Sequence, residues 1–178
     1  RIRDKIEAVV PGFENFNERI RNPGGFYLGN TAGQREWKTE WGRARFIVSD
    51  IPDLGLPEGT FRLMTIRSHD QYNTTIYGLD DRYRGIKNER RVIFLNEADM
   101  QAHQLKRGDR VDLVSAYNDR NERRADNFIV LPYAIPAGCA ASYFPETNVL
   151  VSVDSVADRS NTPISKFVPV RLLRRQPD

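Results

Sequence analysis

Hydrophobic residues change along this chain from a helical spacing to a strand-like spacing. Over residues 2–10 the apolar positions recur on one helical face until a Pro-Gly pair at residues 11–12 ends the pattern, and a second short stripe covers residues 13–20. Later segments are short and strand-like. The pattern predicts a helical and irregular N-terminal arm, residues 1–42, followed by a β domain, residues 43–178.

Seven segments of the second part have the composition of short β-strands. Gly, Pro, Asn or Asp bounds most of them, and they cover residues 43–49, 60–66, 90–95, 109–116, 125–134, 148–154 and 164–173. Six or seven such strands are typical of a barrel or a sandwich. The polar residues 117–126 predict a hairpin tip between two of the strands.

One helix is predicted inside the β domain. Asn96 can cap its start, and Glu97 and Asp99 fall in its first turn, where negative charge is favourable. Gly108, which follows two basic residues, can stop it. We interpret this helix as structural.

Polar side chains crowd the chain where the strand at residues 60–66 ends. In that strand Phe61 and Leu63 alternate with other residues, as in a buried strand. The cluster that follows consists of Arg67, Ser68, His69, Asp70, Gln71, Asn73, Thr74 and Thr75. Few cores need so many polar groups together, so we expect a ligand site to begin here.

Two long connections, residues 68–91 and 132–147, each lie beside such a strand end, and long ordered loops are usually functional or mobile.

Charge and cysteine content exclude only a few classes of function. The 27 Lys and Arg residues are interleaved with 24 Asp and Glu residues, so the net charge of +3 describes an ordinary solvated surface. The single cysteine, Cys139, excludes an internal disulfide and a cysteine-based zinc site, and it agrees with a reducing compartment. Two histidines are too few for most metal centres, and we predict no metal ligands. Without an apolar run of about 18 residues or a signal peptide, we expect no membrane span.

Four blocks of sequence, in this order and spacing, resemble the C-terminal domain of the molybdopterin oxidoreductases. They are TIRSHDQYNTTIYG at residues 65–78, FLNEADMQAHQLKRGDRVDLVS at 94–115, GCAASYFPETNVLVSVD at 138–154 and TPISKFVPVRLL at 162–173. Within that superfamily the chain is most similar to the formate-dehydrogenase-like alpha subunits. The resemblance implies a mainly β fold with short helices, a double-psi β-barrel of the aspartate-decarboxylase-like type. Such a domain closes over molybdopterin guanine dinucleotide and its molybdenum.

The resemblance also implies which residues contact the cofactor. In the family the loop after the first barrel strand touches it, Asn148 fits an NxL signature, and Lys166 matches the basic residue before the final strand. Side-chain chemistry agrees, because an Arg fork and hydroxyl groups suit a pyrophosphate, and amide or imidazole groups suit a ring edge. The predicted cofactor-binding residues are Arg67, Ser68, His69, Gln71, Asn73, Thr74, Asn148 and Lys166, and we predict no catalytic residue.

The same resemblance implies a longer parent enzyme. The chain begins at Arg1 rather than Met, so we expect it to be part of a cytoplasmic oxidoreductase whose remaining domains are its partners. Any iron-sulfur cluster would lie outside it, since a cubane takes four thiolates. We expect the isolated domain to lack redox activity, because the cofactor does the redox chemistry and the domain only grips it. Neither nucleic acid nor a membrane is expected as a partner.

Simpler interpretations of the same residues stay open. Arg67 could pair with Asp70 or Asp81 at the surface, and the His69 imidazole could satisfy its own loop. Asn148 could be an ordinary turn residue, and Lys166, taken alone, could be a solvated side chain.

Other functions compete with the cofactor domain. A small basic β-barrel could bind nucleic acid through the arginine-rich residues 82–91 and 120–124, which are interleaved with Tyr83 and Tyr117. A free-standing enzyme related to the barrel decarboxylases is less favoured, because we find no self-processing site. Cys139 is a packing residue rather than a nucleophile in our interpretation, since no base lies near it in sequence.

Overall fold

The computed structural model describes residues 1–51 and 55–175 of the chain. The chain divides into two units, Arg1–Pro52 and Asp53–Asp178. The domain boundary that the sequence predicts, between residues 42 and 43, stays a prediction.

In the first unit, two helices form at the two apolar stripes. They are α1 (Ile2–Val9) and α2 (Phe16–Arg19). The rings of Phe13, Phe16 and Phe26 pack against each other with centroids 4.9 to 5.9 Å apart. Aromatic contacts of this kind stabilise a segment in which neither helix has a fully buried residue.

The second unit is a closed six-stranded barrel. Its strands are β1 (Phe61–Ile66), β2 (Val92–Leu95), β3 (Arg110–Ser115), β4 (Arg124–Pro132), β5 (Cys139–Tyr143) and β6 (Val168–Arg174). Around the barrel the order is β1-β5-β2-β4-β3-β6, and β6 pairs with β1 to close it. The mainly β fold with a barrel and short helices is confirmed, whereas the double-psi detail stays a prediction.

The alternation of side chains along the strands separates two apolar clusters. One cluster takes residues from all six strands, such as Leu63, Ile93 and Val168, and it fills the barrel. The other takes the alternate residues Phe94 and Tyr143, and it packs under the long connection between β1 and β2. Every residue of β2 is buried because both faces of this strand are covered.

One segment with strand composition forms no strand. Residues 43–49 form no β-bridge with any of the described residues, and Phe46 and Val48 are 98% and 95% exposed. Apolar and β-branched residues predicted a strand there, but a strand forms only where a partner satisfies its backbone groups. The prediction for this segment is therefore wrong.

A second correction concerns the stretch before the last strand. Residues 148–154, predicted as a strand, instead begin with a 3₁₀ helix, Asn148–Leu150, that buries Leu150. The strand lies earlier, because β5 falls inside residues 132–147, which the sequence predicted as a connection. The small residues of β5 give a weak local signal, yet β1 and β2 flank it and pair with its backbone.

The internal helix and the hairpin agree with the sequence. Helix α3 (Glu97–Ala102) begins where Asn96 Oδ1 accepts a hydrogen bond from Ala98 N over 2.8 Å, although it ends before the predicted stop at Gly108. The antiparallel strands β3 and β4 are joined by residues 116–123, as a hairpin tip.

Among the described residues, no helix has the length and apolar character needed to cross a bilayer.

Candidate functional site

Three strand ends meet at one edge of the barrel. β1 and β5 are parallel, and Phe144, the residue after β5, donates its N–H to Ile66 O over 3.1 Å. β6 is antiparallel to β1, so it begins at the edge where β1 ends. The topology therefore brings together the segments that leave β1, leave β5 and enter β6, namely residues 67–74, 144–153 and 162–166.

These segments border an open cavity of about 970 Å³. Its polar lining residues are Thr65, Arg67, Asn73, Thr74, Arg84, Asn148, Ser152, Thr162, Ser165 and Lys166, and its apolar ones are Ile66, Phe144, Val151, Val153 and Pro163. A cavity of this size that combines apolar surface with polar side chains suits a small molecule or a cofactor.

Five of the residues predicted from the sequence lie on this wall, and they are Arg67, Asn73, Thr74, Asn148 and Lys166. Two of them come from separate strand exits, since Arg67 follows β1 and Asn148 follows β5. They nevertheless share one concave surface. Their contact with a cofactor stays a prediction.

The described wall of the cavity carries three positively charged side chains and no acidic one. Arg67, Arg84 and Lys166 line the cavity, and none of its described lining residues is Asp or Glu. Asp70, a surface partner that the sequence offered for Arg67, lies 3.5 Å from the guanidinium of Arg82 instead. Because guanidinium and ammonium groups both attract anions, this wall favours a ligand that carries phosphate or carboxylate.

Lys166 reaches the cavity from the segment that enters β6. Its Nζ donates a hydrogen bond to Thr65 O, at the end of β1. Loss of hydration and then the positive charge of Arg67 lower the pKa of Lys166. The two cations therefore repel each other, and an anionic ligand near both would relieve that repulsion.

A buried carboxylate fixes Arg84 at the wall. Asp81 is 1% exposed, and its Oδ2 accepts hydrogen bonds from Arg84 Nη1 over 2.5 Å and from the Tyr143 hydroxyl over 2.7 Å. Burial by itself would raise the pKa of Asp81, but the hydrogen bonds from Tyr143 and Arg84 outweigh it and lower the pKa to about 2. Burial, and then the bond to Asp81, raise the pKa of the Tyr143 phenol. Arg84 therefore lines the cavity with a guanidinium whose positive charge is partly balanced by Asp81.

Three other predicted residues do not line the cavity. The Ser68 hydroxyl and the Gln71 amide hydrogen-bond each other and their own loop, and Gln71 Nε2 also donates to Phe144 O over 2.8 Å. The His69 ring stacks on Tyr83 with centroids 3.6 Å apart. The structure thus gives these side chains partners inside the protein, and their role toward a cofactor stays a prediction.

The amides on the wall also have local backbone roles. Asn73 has a φ of 52°, a left-handed conformation that Asn tolerates, in a turn where Tyr72 N donates to Ile76 O over 2.8 Å. Asn148 donates its backbone N–H to Pro145 O over 3.0 Å as the 3₁₀ helix begins. Its side chain makes no hydrogen bond within residues 1–51 and 55–175, so its amide is available to a ligand.

Sequence reasoning missed five polar residues of the wall, and they are Thr65, Arg84, Ser152, Thr162 and Ser165. The local signal for Arg84 is Asp81, which precedes it by three residues, a spacing at which the two side chains can form an ion pair. Ser152 is buried and donates its hydroxyl hydrogen to Asp119 in the β3–β4 hairpin, over 2.8 Å. No pattern in the sequence reports that contact, because it depends on the barrel topology.

Comparison with known proteins agrees with this chemistry. The family described as "Molydopterin dinucleotide binding domain" matches residues 61–170. The chain is 52% identical over 176 residues to an uncharacterized oxidoreductase of Mycobacterium tuberculosis, with 96% of this chain and 23% of that protein covered. It is 43% identical over 180 residues to protein YdeP of Escherichia coli K12, with 97% of this chain and 23% of that protein covered.

The chain therefore spans about a quarter of the length of these curated relatives, 23% in both cases. The family match runs from the first residue of β1 into β6, so it covers most of the barrel and every described lining residue of the cavity. No group of three or more His, Cys, Asp or Glu side chains in the described part of the chain could hold a metal ion. On the extent of the family match, the chain belongs to the molybdopterin dinucleotide binding domains.

Proposed function

We propose that this chain is the C-terminal cofactor-binding domain of a cytoplasmic, molybdenum-dependent oxidoreductase of the formate-dehydrogenase-like class. The cofactor in this proposal is molybdopterin guanine dinucleotide, and the barrel is of the double-psi type. The observation that carries the proposal is a cavity lined by three cations and two asparagine amides, with no acid among its described lining residues. The family match and a relative named as an oxidoreductase support it.

The donor set of the cavity fits the polar groups of such a dinucleotide. Arg67, Lys166 and Arg84 suit the pyrophosphate, because each lines the same cavity with a positively charged side chain. Asn73 and Asn148 offer a donor and an acceptor on each amide, which matches the edge of a pterin or guanine ring. The apolar lining residues suit the faces of the rings.

The work of the enzyme is divided between the cofactor and the protein. The bound cofactor supplies the redox chemistry. The residues of this chain bind and orient it, and the isolated chain is expected to be inactive. Any protein ligand to molybdenum, and any iron-sulfur cluster, belongs in this proposal to the other domains of the parent.

The test is to replace Arg67 and Asn148, one at a time, by Ala in the complete gene product. Each substitution removes one ligand contact, so we expect cofactor binding to weaken by about 1 to 3 kcal/mol. Bound molybdenum is measured by mass spectrometry and the nucleotide is identified after acid release. Recovery of GMP supports the guanine form, and formate-dependent dye reduction tests the substrate class.

Matched controls come from side chains outside the cavity. Arg82→Ala removes an exposed arginine of the same loop that pairs with Asp70, and Asn118→Ala removes an exposed asparagine of the β3–β4 hairpin. Both controls should retain the cofactor. Unchanged cofactor content and unchanged activity in Arg67→Ala and Asn148→Ala would remove both residues from the site.

A further inference from the structure

Arg90 is a buried cation behind the cavity wall. Its side chain is 4% exposed, it precedes β2, and it is not one of the lining residues. A buried charge is stable only when it is paired and fully hydrogen-bonded. Glu146 provides the pair, since Arg90 Nε donates to Glu146 Oε1 over 2.6 Å and Nη2 donates to Oε2 over 3.2 Å.

The two Nη groups of the guanidinium also donate hydrogen bonds to segments on both sides of the cavity. On the β1 side, Nη1 donates to Ser68 Oγ over 2.8 Å and Nη2 to Gln71 Oε1 over 3.1 Å. On the β5 side, Nη2 donates to the carbonyl of Phe144, a lining residue, over 2.9 Å. Gln71 Nε2 completes the link by donating to Asn73 O and Phe144 O, over 2.8 Å each.

The site that holds Arg90 is specific for a guanidinium. The Tyr77 and Tyr143 rings lie 4.3 and 5.1 Å from its central carbon, as cation–π partners. A planar fork with five N–H groups can serve acceptors on several segments at once, whereas an ammonium has three donors on one atom. Lysine would keep the charge and lose part of the cross-link.

We infer that Arg90 is a positioning residue for the cofactor cavity. It fixes the loop after β1, which carries Arg67 and Asn73, to the segment after β5, which carries Asn148. The inference rests on the proposed function, because the positioned groups are the ones that would grip the cofactor. It also gives Ser68 and Gln71 a role, since their side chains hold Arg90 rather than reach the cavity.

The experiment uses Arg90→Lys in the complete protein, with Arg124→Lys as the matched control. Arg124 is another arginine paired with a buried acid, at 2.5 Å from Asp112, but its acidic partners Asp112 and Asp126 lie in β3 and β4 rather than in the wall segments. Hydrogen–deuterium exchange is measured in the two wall segments that Arg90 joins, residues 67–74 and 144–153, and in β3 and β4. The rate of cofactor loss after dilution is measured from the pterin that is released. We expect faster exchange in both wall segments of Arg90→Lys with β3 and β4 unchanged, and cofactor loss accelerated about tenfold. Arg124→Lys should retain the cofactor at the normal rate.

Each outcome decides the inference. If Arg90→Lys does not fold, Glu146→Gln replaces it, because this variant keeps the size of the side chain, weakens the same cross-link and should accelerate cofactor loss a few-fold. Unchanged exchange in the wall segments, equal loosening of the whole barrel, or cofactor loss at the control rate would overturn the positioning role. A wild-type protein that releases no molybdopterin nucleotide would overturn the proposed function instead, and the exchange data would still show whether Arg90 fixes the two segments.

Discussion

At the scale of single residues, Asp81 organises the loop behind the cavity. Besides Arg84 and Tyr143, its carboxylate accepts hydrogen bonds from the backbone N–H groups of His69 and Tyr83, over 3.3 and 3.1 Å. A carboxylate that is buried with this many donors is stabilised in its charged form. One acid therefore holds a lining arginine, a barrel tyrosine and two turns of the β1–β2 connection.

Asp81 makes the stability of the chain depend on pH in acid. The pKa of Asp81 falls from 3.8 to about 2 on folding, so its contribution is complete above about pH 5 and is lost as the pH falls from there through 2. The shift corresponds to about 2 kcal/mol. We expect the free energy of unfolding, measured with urea between pH 5 and pH 2, to fall less steeply in Asp81→Asn than in the wild type.

An exposed acid provides the control for this measurement. Asp158 is 96% exposed and its contact with Arg159 is 3.8 Å long, so Asp158→Asn should follow the wild-type curve. If Asp81→Asn had the same slope as the wild type, the carboxylate would not be stabilised by its buried partners.

At the scale of elements, the N-terminal end of helix α3 is hydrogen-bonded to the segment between β4 and β5. The Asn96 side chain accepts from Ala98 N and donates from Nδ2 to Ile135 O over 2.6 Å. Asp99, in the first turn, accepts from Gly138 N over 2.8 Å. The helix start therefore anchors the segment that leads into β5, the strand with the weakest sequence signal.

Loss of this cap should destabilise the chain. Asn96→Ala removes both hydrogen bonds and should lower the free energy of unfolding by about 1 to 2 kcal/mol. Asn96→Asp keeps the acceptor for the helix and loses only the donor to Ile135, so its cost should be smaller. Urea denaturation of both variants, beside Asn118→Ala, measures the difference. Equal stability of Asn96→Ala and the wild type would contradict a role for the cap.

At the scale of the whole molecule, the arginine-rich segments are largely neutralised from within. Arg84 and Arg90 are paired with Asp81 and Glu146. In the second segment, Arg123 lies 2.8 Å from Asp119, and Arg124 lies 2.5 Å from Asp112 and Asp126. Charges that are paired inside the protein attract a phosphate backbone weakly, which disfavours the nucleic-acid interpretation.

We therefore expect no specific binding of nucleic acid. The anisotropy of a labelled single-stranded oligonucleotide, titrated with the chain, should indicate a dissociation constant weaker than about 100 µM at physiological salt. Tight binding that weakens steeply as salt is added would instead favour the basic-barrel alternative. Arg120→Ala, in the exposed part of the hairpin, should then reduce it.

The sequence determined the features that depend on neighbours along the chain. Phe61 and Leu63 are buried in alternation as the pattern predicted, and the Asn96 cap begins a helix. The cluster after β1 contains several of the cavity's polar residues. These features were readable because side-chain period and capping are set within a few residues. The resemblance of four ordered blocks then predicted the family.

Only the tertiary structure decided which segments find partners. β5 is a strand because β1 and β2 flank it, and residues 43–49 form none because no described strand pairs with them. Arg90 lies in a stretch that was considered for nucleic acid, yet its acceptors come from segments far apart in the chain. Backbone pairing and the neutralisation of a buried charge are long-range requirements. Their partners are chosen by the topology of the barrel, which no local pattern of residues specifies.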